Sequence, residues 1–135
     1  MPFVQHRITI IQIRKPNKLN LNEELQWLGN SLGLFNERDR DKSCFRIFLE
    51  LLKACKARRL MSSDDIADQL QLSRGTVVHH LHRLMEAGIV ISEGKKYILR
   101  QEHLEELIEE VRKDILRTCE DMLKTAKEID DVLRV

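Results

Sequence analysis

Residues 62–100 read SSDDIADQLQLSRGTVVHHLHRLMEAGIVISEGKKYILR, and this stretch decides the fold. Ser63 is placed to cap a helix, with Asp64 and Asp65 in a first turn where the helix dipole favours negative charge. Ile66, Ala67 and Leu70 follow at helical spacing and give one short apolar face. Gln71 and Leu72 fall in a turn, and Ser73 is placed to cap the next helix. In that second helix Val77, Val78, Leu81, Leu84 and Met85 form a stripe toward a core. The opposite face carries Gly75, Thr76, His79, His82, Arg83 and Glu86, with Arg74 exposed at the N-terminal end. Gly88 stands where a left-handed C-terminal cap belongs. Ile89-Val90-Ile91 reads as a strand, Glu93-Gly94 as a hairpin turn and Tyr97-Ile98-Leu99 as the returning strand. The order is short helix, tight turn, second helix and two-stranded ribbon. That is a helix-turn-helix with a wing, the device that lays one helix in the major groove of DNA.

The same residues carry a family resemblance. The pattern S…IA..L.LSRGTVVHHLHRLMEAGIV, followed by a glycine turn and two lysines, resembles the winged helix-turn-helix of prokaryotic regulators of the ArsR and MarR type. It extends from Ser62 to Arg100 and specifies the fold rather than a subfamily. The resemblance implies that the second helix reads bases while the wing tip touches phosphate or the minor groove. Position by position it turns Arg74, Gly75, Thr76, Val78, His79, His82 and Arg83 toward the groove and puts Lys95 and Lys96 on the wing. Arginine suits guanine edges or phosphate, and histidine suits base edges. The wing lysines suit salt-dependent, sequence-independent contact. The implied function is a sequence-specific double-stranded DNA-binding transcriptional regulator, with promoter occlusion and repression the expected outcome. The cysteine-pair metal motif of ArsR-type sensors is absent from the helix before the turn, where the chain reads DDIADQL.

Outward from this module, the C-terminal third reads as one helix from Gln101 to about Leu133. Leu104, Ile108, Val111, Ile115, Thr118, Met122, Thr125, Ile129 and Val132 alternate spacings of four and three, a coiled-coil seam interrupted by two threonines. Such a helix extends roughly 50 Å at 1.5 Å per residue, too long for so small a domain to cover. Leu104, Ile108, Val111, Ile115, Met122 and Ile129 are therefore expected to form a homodimer interface. Two reading helices about a two-fold axis would meet a near-palindromic site with half-sites about 34 Å apart.

On the N-terminal side, Phe3 to Ile13 is β-branched and apolar and reads as a strand, with the wing edge or a second subunit as its partner. Leu21 to Leu34 reads as a short amphipathic helix that packs Trp27 as core. After a polar turn from Asn36 to Asp41, Phe45, Phe48, Leu49, Leu51 and Leu52 mark a buried helix reaching about Arg59. The expected organisation is an extension over 1–35, a winged helix-turn-helix over 36–100 and a dimerisation helix over 101–135. The fold class is mainly α (α+β).

The net charge of +1 hides an asymmetry. Residues 1–60 carry 12 Lys/Arg against 6 Asp/Glu, residues 61–100 carry 5 against 5, and residues 101–135 carry 6 against 11. A nucleic-acid binder needs a local basic patch rather than a basic total. Arg38, Arg40, Lys42, Lys53, Lys56, Arg58 and Arg59 are candidates for it, with the acidic C-terminal third turned away from phosphate. The neutral central segment equally suits a winged helix that binds protein inside a larger assembly, which is the alternative reading.

His79, His80 and His82 form an HHxH cluster, but no Cys or carboxylate arrangement nearby completes a metal site. His103, Glu106 and Glu110 share a face that reads as a solvated helix surface. Cys44 and Cys55 lie about 16 Å apart along a helix, beyond disulfide reach, and read with Cys119 as packing residues in a reducing compartment. No phosphate-binding glycine loop, nucleophile elbow or HExxH occurs, so no catalytic residue, metal or cofactor is expected. No apolar run near 18 residues and no signal-peptide layout appear, so no membrane partner is expected and the expected compartment is the cytoplasm. With no ligand domain beyond the long helix, a small-molecule effector would have to bind at the dimer interface.

Overall fold

The computed structural model describes residues 6–18, 20–35, 39 and 41–134. In chain order the elements are α1 (Leu21–Ser31), α2 (Ser43–Lys56), β1 (Met61–Ser62), α3 (Ser63–Leu70), α4 (Arg74–Glu86), β2 (Val90–Glu93), β3 (Lys96–Leu99) and α5 (Leu104–Leu133). They divide into two compact units, residues 1–102 and residues 103–135.

The first unit is a winged helix-turn-helix with one more strand than the sequence suggests. β3 pairs antiparallel with β2 and also with β1, so the sheet order is β1-β3-β2. Met61 faces Tyr97 and Ser62 faces Lys96. A strand of two residues leaves no alternation to read. The hairpin turn also lies one residue later than expected: Glu93 pairs with Lys96, so Gly94 and Lys95 make the turn. Gly94 has φ 63°, the positive value that a type II′ turn requires at its first central residue.

α2 packs on α3, α4 and β3, and α3 packs on α4. The centre is Ile47 and Leu51 of α2, Ile66 of α3, and Val77, Leu81 and Leu84 of α4, all fully buried. Burying each such side chain contributes about 1.5–3 kcal/mol. Val78 and Met85, expected on the same stripe, are half-buried at its edge, as are Leu49 and Leu52 of α2. Cys44 and Cys55 lie inside the first unit, both on α2. Burial pushes the Cys44 thiol up to about 11 and raises that of Cys55, where Glu102 adds to the effect.

Backbone ends are closed by side chains and turns. The cap of α3 is Ser62 rather than Ser63: its Oγ accepts the Asp65 N–H at 3.0 Å, and Asp65 Oδ2 accepts the Ser62 N–H at 3.1 Å. Asp65 is the acid three residues after Ser62, so the reciprocal capping box forms there. At the start of α2, Lys42 provides no side-chain cap, and Asp39 Oδ2 accepts the Cys44 N–H at 2.9 Å instead. Helices α1, α2 and α4 end alike. A left-handed residue (Gly33, Arg58 or Gly88) follows the cap, and two N–H groups return to the last turn, the Schellman arrangement. Gly88 thus caps α4 as the sequence suggests, while Arg58 adopts φ 54° without glycine's freedom.

The N-terminal segment departs from its reading. Phe3, Val4 and Gln5 lie outside the described residues, and residues 6–13 form no strand. Their hydrogen bonds go to helix ends instead: Arg7 N–H donates to Glu86 O at 2.7 Å and Ile11 N–H to Ser31 O at 2.8 Å. Glu86 and Ser31 are the last residues of α4 and α1, whose terminal carbonyls lack partners within their own helices. Trp27 is half-buried rather than core. Its Nε1 donates to Ile13 O at 3.1 Å, and Lys15 Nζ lies 5.3 Å from the ring centroid. α1 ends at Ser31, three residues before Leu34, and the chain then places Phe35 edge-on to Phe45 and Phe48, with centroids 5.1 and 6.2 Å away.

The second unit is α5, which begins at Leu104 rather than Gln101 and runs 30 residues, about 45 Å at 1.5 Å per residue. Glu105 and Glu106 occupy its first turn, and Arg117 pairs with Asp114 at 2.7 Å. The Thr118 hydroxyl, on the expected seam, donates to Asp114 O at 3.0 Å and so is satisfied within the helix. Leu116, Met122, Leu123, Ile129, Val132 and Leu133 are exposed. Among the described residues no helix is long and apolar enough to cross a membrane.

Candidate nucleic-acid interface

The turn between α3 and α4 is made by Gln71, with φ 57°, whose successor Leu72 returns its N–H to Ala67 O at 3.0 Å. Ser73 then caps α4 as expected. Its Oγ accepts the Thr76 N–H at 3.2 Å and donates to Thr76 Oγ1 at 2.8 Å. The hydroxyl pair holds Thr76 half-buried beside the free N–H groups of the first turn. Those amides, with the positive end of the helix dipole, suit a phosphate.

At 100° per residue Gly75, His79, His82 and Glu86 fall on one narrow stripe of α4. All four are exposed. Arg74 stands at its head, 73% exposed and 3.6 Å from Asp64, a loose surface pair of small energetic weight. A Cβ built on Gly75 would meet nothing within 4 Å. Nothing among the described residues requires glycine there, and glycine in a helix costs about 1 kcal/mol relative to alanine.

Two histidine neighbours part company. His79 is exposed and His80 is buried, their rings 5.4 Å apart. Burial pushes the His80 imidazole below its usual range, against the pull of Asp39, while His79 and Arg83 add to the lowering. His80 Nδ1 has no hydrogen-bond partner among the described residues. Burial also raises the Asp39 carboxyl, but the N–H groups of Cys44 and Ser43, His80 and the Ser43 hydroxyl together hold it below the ordinary value. The sequence reading grouped His80 with its neighbours in an HHxH cluster. Its spacing from Val77, Leu81 and Leu84 already puts it on the core face.

Arg83 is the correction among the expected reading residues. It is half-buried, not exposed, and its Nη2 donates to Gly33 O at 3.1 Å. The guanidinium ties α4 to the turn after α1, a tie 50 residues long that no local pattern announces. Val78 is half-buried at the edge of the stripe. Among the described residues no three His, Cys, Asp or Glu side chains gather as a metal site.

On the wing, Lys95 and Lys96 are both exposed. Lys96 and Arg59 lie near Asp65, whose carboxyl is held below its ordinary value first by the Ser62 N–H and hydroxyl. Among the described residues the basic patch expected from the N-terminal third does not form as one surface. Lys42 precedes α2 whereas Lys53, Lys56, Arg58 and Arg59 gather at its far end, about 20 Å away along the helix. Lys56 Nζ donates to Glu102 O at 3.2 Å. Arg38 and Arg40 lie outside the described residues. What sequence reasoning missed is Arg7, which reaches the exposed stripe of α4 by pairing with Glu86 at 3.8 Å.

Residues 41–93 match the family model of a helix-turn-helix domain. The match runs from the turn before α2 through β2, and it bears out the resemblance to winged helix-turn-helix regulators over that span. It supports a DNA-binding regulator. No curated protein and no solved structure is significantly similar to the chain.

Proposed function

We propose that this chain is a sequence-specific double-stranded DNA-binding regulator that acts as a homodimer and represses by occluding a promoter. The observation that carries the reading is the exposed stripe of Gly75, His79 and His82 on α4. Arg74 and Thr76 stand at its amide-rich end and Lys95 and Lys96 on the wing. In this arrangement Arg74, His79 and His82 read base edges, Gly75 lets the duplex approach, and Thr76 and the first-turn amides hold a phosphate. Val78 lines the edge of the interface. Arg83 contributes as the tether of α4, and Lys95 and Lys96 supply affinity without sequence preference.

The dimer reading rests on α5. Met122, Ile129 and Val132 of the seam are 58%, 51% and 80% exposed, and Leu116 and Leu123 widen the apolar stripe. That much exposed apolar surface on one helix marks an interaction site. Val111, expected in the seam, is already buried within the single chain, so Leu104, Ile108, Ile115, Met122 and Ile129 form the coiled-coil seam, and the pairing presents two reading helices to a near-palindromic site. Ile115→Asp is expected to convert the sedimenting species to monomer; a persisting dimer would remove α5 from the interface.

The deciding experiment is fluorescence anisotropy with a labelled duplex from upstream of the protein's own coding region against a scrambled duplex, titrated across salt. Tighter binding to the upstream duplex that weakens steeply with salt supports the reading. No binding to either duplex at low salt overturns it and favours a winged helix that binds protein in an assembly.

A further inference from the structure

The first 22 residues carry Arg7, Arg14, Lys15 and Lys18 and no Asp or Glu. In the described part, residues 6–18, these four side chains are exposed. The segment is nonetheless fastened. Arg7 N–H is held by Glu86 O, Ile11 N–H by Ser31 O, and Ile13 O by the Trp27 indole, while Lys15 rests over the Trp27 ring. An arm already held in one course loses less freedom on binding than a loose tail would.

Its first attachment is on the reading stripe itself. Glu86 ends the line of Gly75, His79 and His82 and is the acid on that line, a charge that would repel phosphate. The Arg7 guanidinium, with its side chain 79% exposed, pairs with Glu86 and offsets that charge. Further along the arm Arg14, Lys15 and Lys18 add three cations. An extended chain advances about 3.3 Å per residue, so Arg7 and Lys18 are separated by up to roughly 36 Å, the reach of several successive phosphates.

The geometry points to residues 6–18 as a second nucleic-acid surface: an arm that grips the phosphate backbone beyond the C-terminal end of α4. It adds affinity without sequence preference and leaves base reading to α4. The inference rests on the reading of α4 and the wing as a DNA interface, and it assigns the N-terminal extension a part in the same complex.

The test is the salt dependence of binding by the full chain carrying Arg7→Ala, Arg14→Ala, Lys15→Ala and Lys18→Ala together. Removing one neutralised phosphate lowers the slope of log affinity against log salt by about 0.9, so with Arg7 engaged by Glu86 the loss of Arg14, Lys15 and Lys18 should lower the slope by roughly 3, equally on the upstream and scrambled duplexes. A companion with Arg7→Lys and Arg14→Lys keeps every charge and should keep the wild-type slope. Circular dichroism of both variants checks that the fold is intact. A wild-type slope in a folded alanine variant overturns the arm while leaving the α4 interface standing. So does an equal fall of slope in the lysine companion, which would make the arginines structural. Absence of salt-dependent binding by the wild-type chain overturns both.

Discussion

Helices α1 and α4 each hold a glycine where alanine would stabilise an isolated helix by about 1 kcal/mol, and they hold it for opposite reasons. At Gly29 of α1 a Cβ would lie 1.7 Å from the Phe35 ring, so the helix gives up a methyl group to let an aromatic side chain of its own chain close over it. At Gly75 of α4 a Cβ would point into open space. The first glycine is explained by packing and the second by nothing among the described residues. The difference separates a glycine that the packing requires from one that the packing leaves open, as the proposed interface would use it.

Substitution at these two sites should break the symmetry. Gly29→Ala is expected to have the largest effect, because Phe35 must leave its edge contacts with Phe45 and Phe48. Overpacking of this kind costs about 1–3 kcal/mol, read as a lower urea midpoint at unchanged slope. An unaltered midpoint would mean that Phe35 has a second place to pack. Gly75→Ala should do the reverse, raising stability by about 1 kcal/mol and the melting temperature by roughly 3–5 °C, while DNA affinity falls at least about tenfold. A variant that melts higher and binds as before would take Gly75 out of the interface.

Arg58 sharpens the comparison from the other side, as a left-handed position that lacks glycine. Its backbone conformation costs roughly 1–2 kcal/mol, partly offset because glycine gains freedom in the unfolded chain. Arg58→Gly should therefore stabilise by about 0.5–1 kcal/mol, visible in the thermal midpoint; a drop in stability would show that the side chain makes a contact outweighing the strain.

The smallest effect expected is a pH dependence, and it sets the two faces of α4 against each other at His79 and His80. Because burial depresses the His80 imidazole, the folded chain binds fewer protons than the unfolded one in acid. Stability is therefore fully present above the unfolded value of about 6.5 and declines as pH falls through it toward the folded value. His80→Leu should flatten the fall of melting temperature between about pH 7 and pH 5.5. An equally steep curve would assign the titration to another group.

The helix-turn-helix was legible because its signals are local. Capping serines, a turn, a helical stripe and a glycine stop all lie within a few residues of what they control. The exposed stripe of Gly75, His79 and His82 followed from the same periodicity. Arg83 and Arg7 were not legible, since one reaches Gly33 across 50 residues and the other bonds Glu86 from the opposite end of the module. The β-branched run before Arg14 looked like a strand, and alternation alone cannot say whether a sheet edge or two helix ends will receive its N–H groups. His80 was legible in principle from its spacing to Val77, Leu81 and Leu84, a signal that the adjacent His79 and His82 obscure.

The burial of Cys44 and Cys55 has a practical consequence for chemistry done on the intact protein. Thiol-directed reagents attack the thiolate; the Cys44 thiol, pushed up to about 11, offers almost none at neutral pH, and the Cys55 thiol is buried and shifted in the same direction. Cys119 on α5 keeps access to solvent. A maleimide dye or spin label applied to the folded wild-type chain should therefore load at one position, giving a distance reporter on α5 without engineering a single residue.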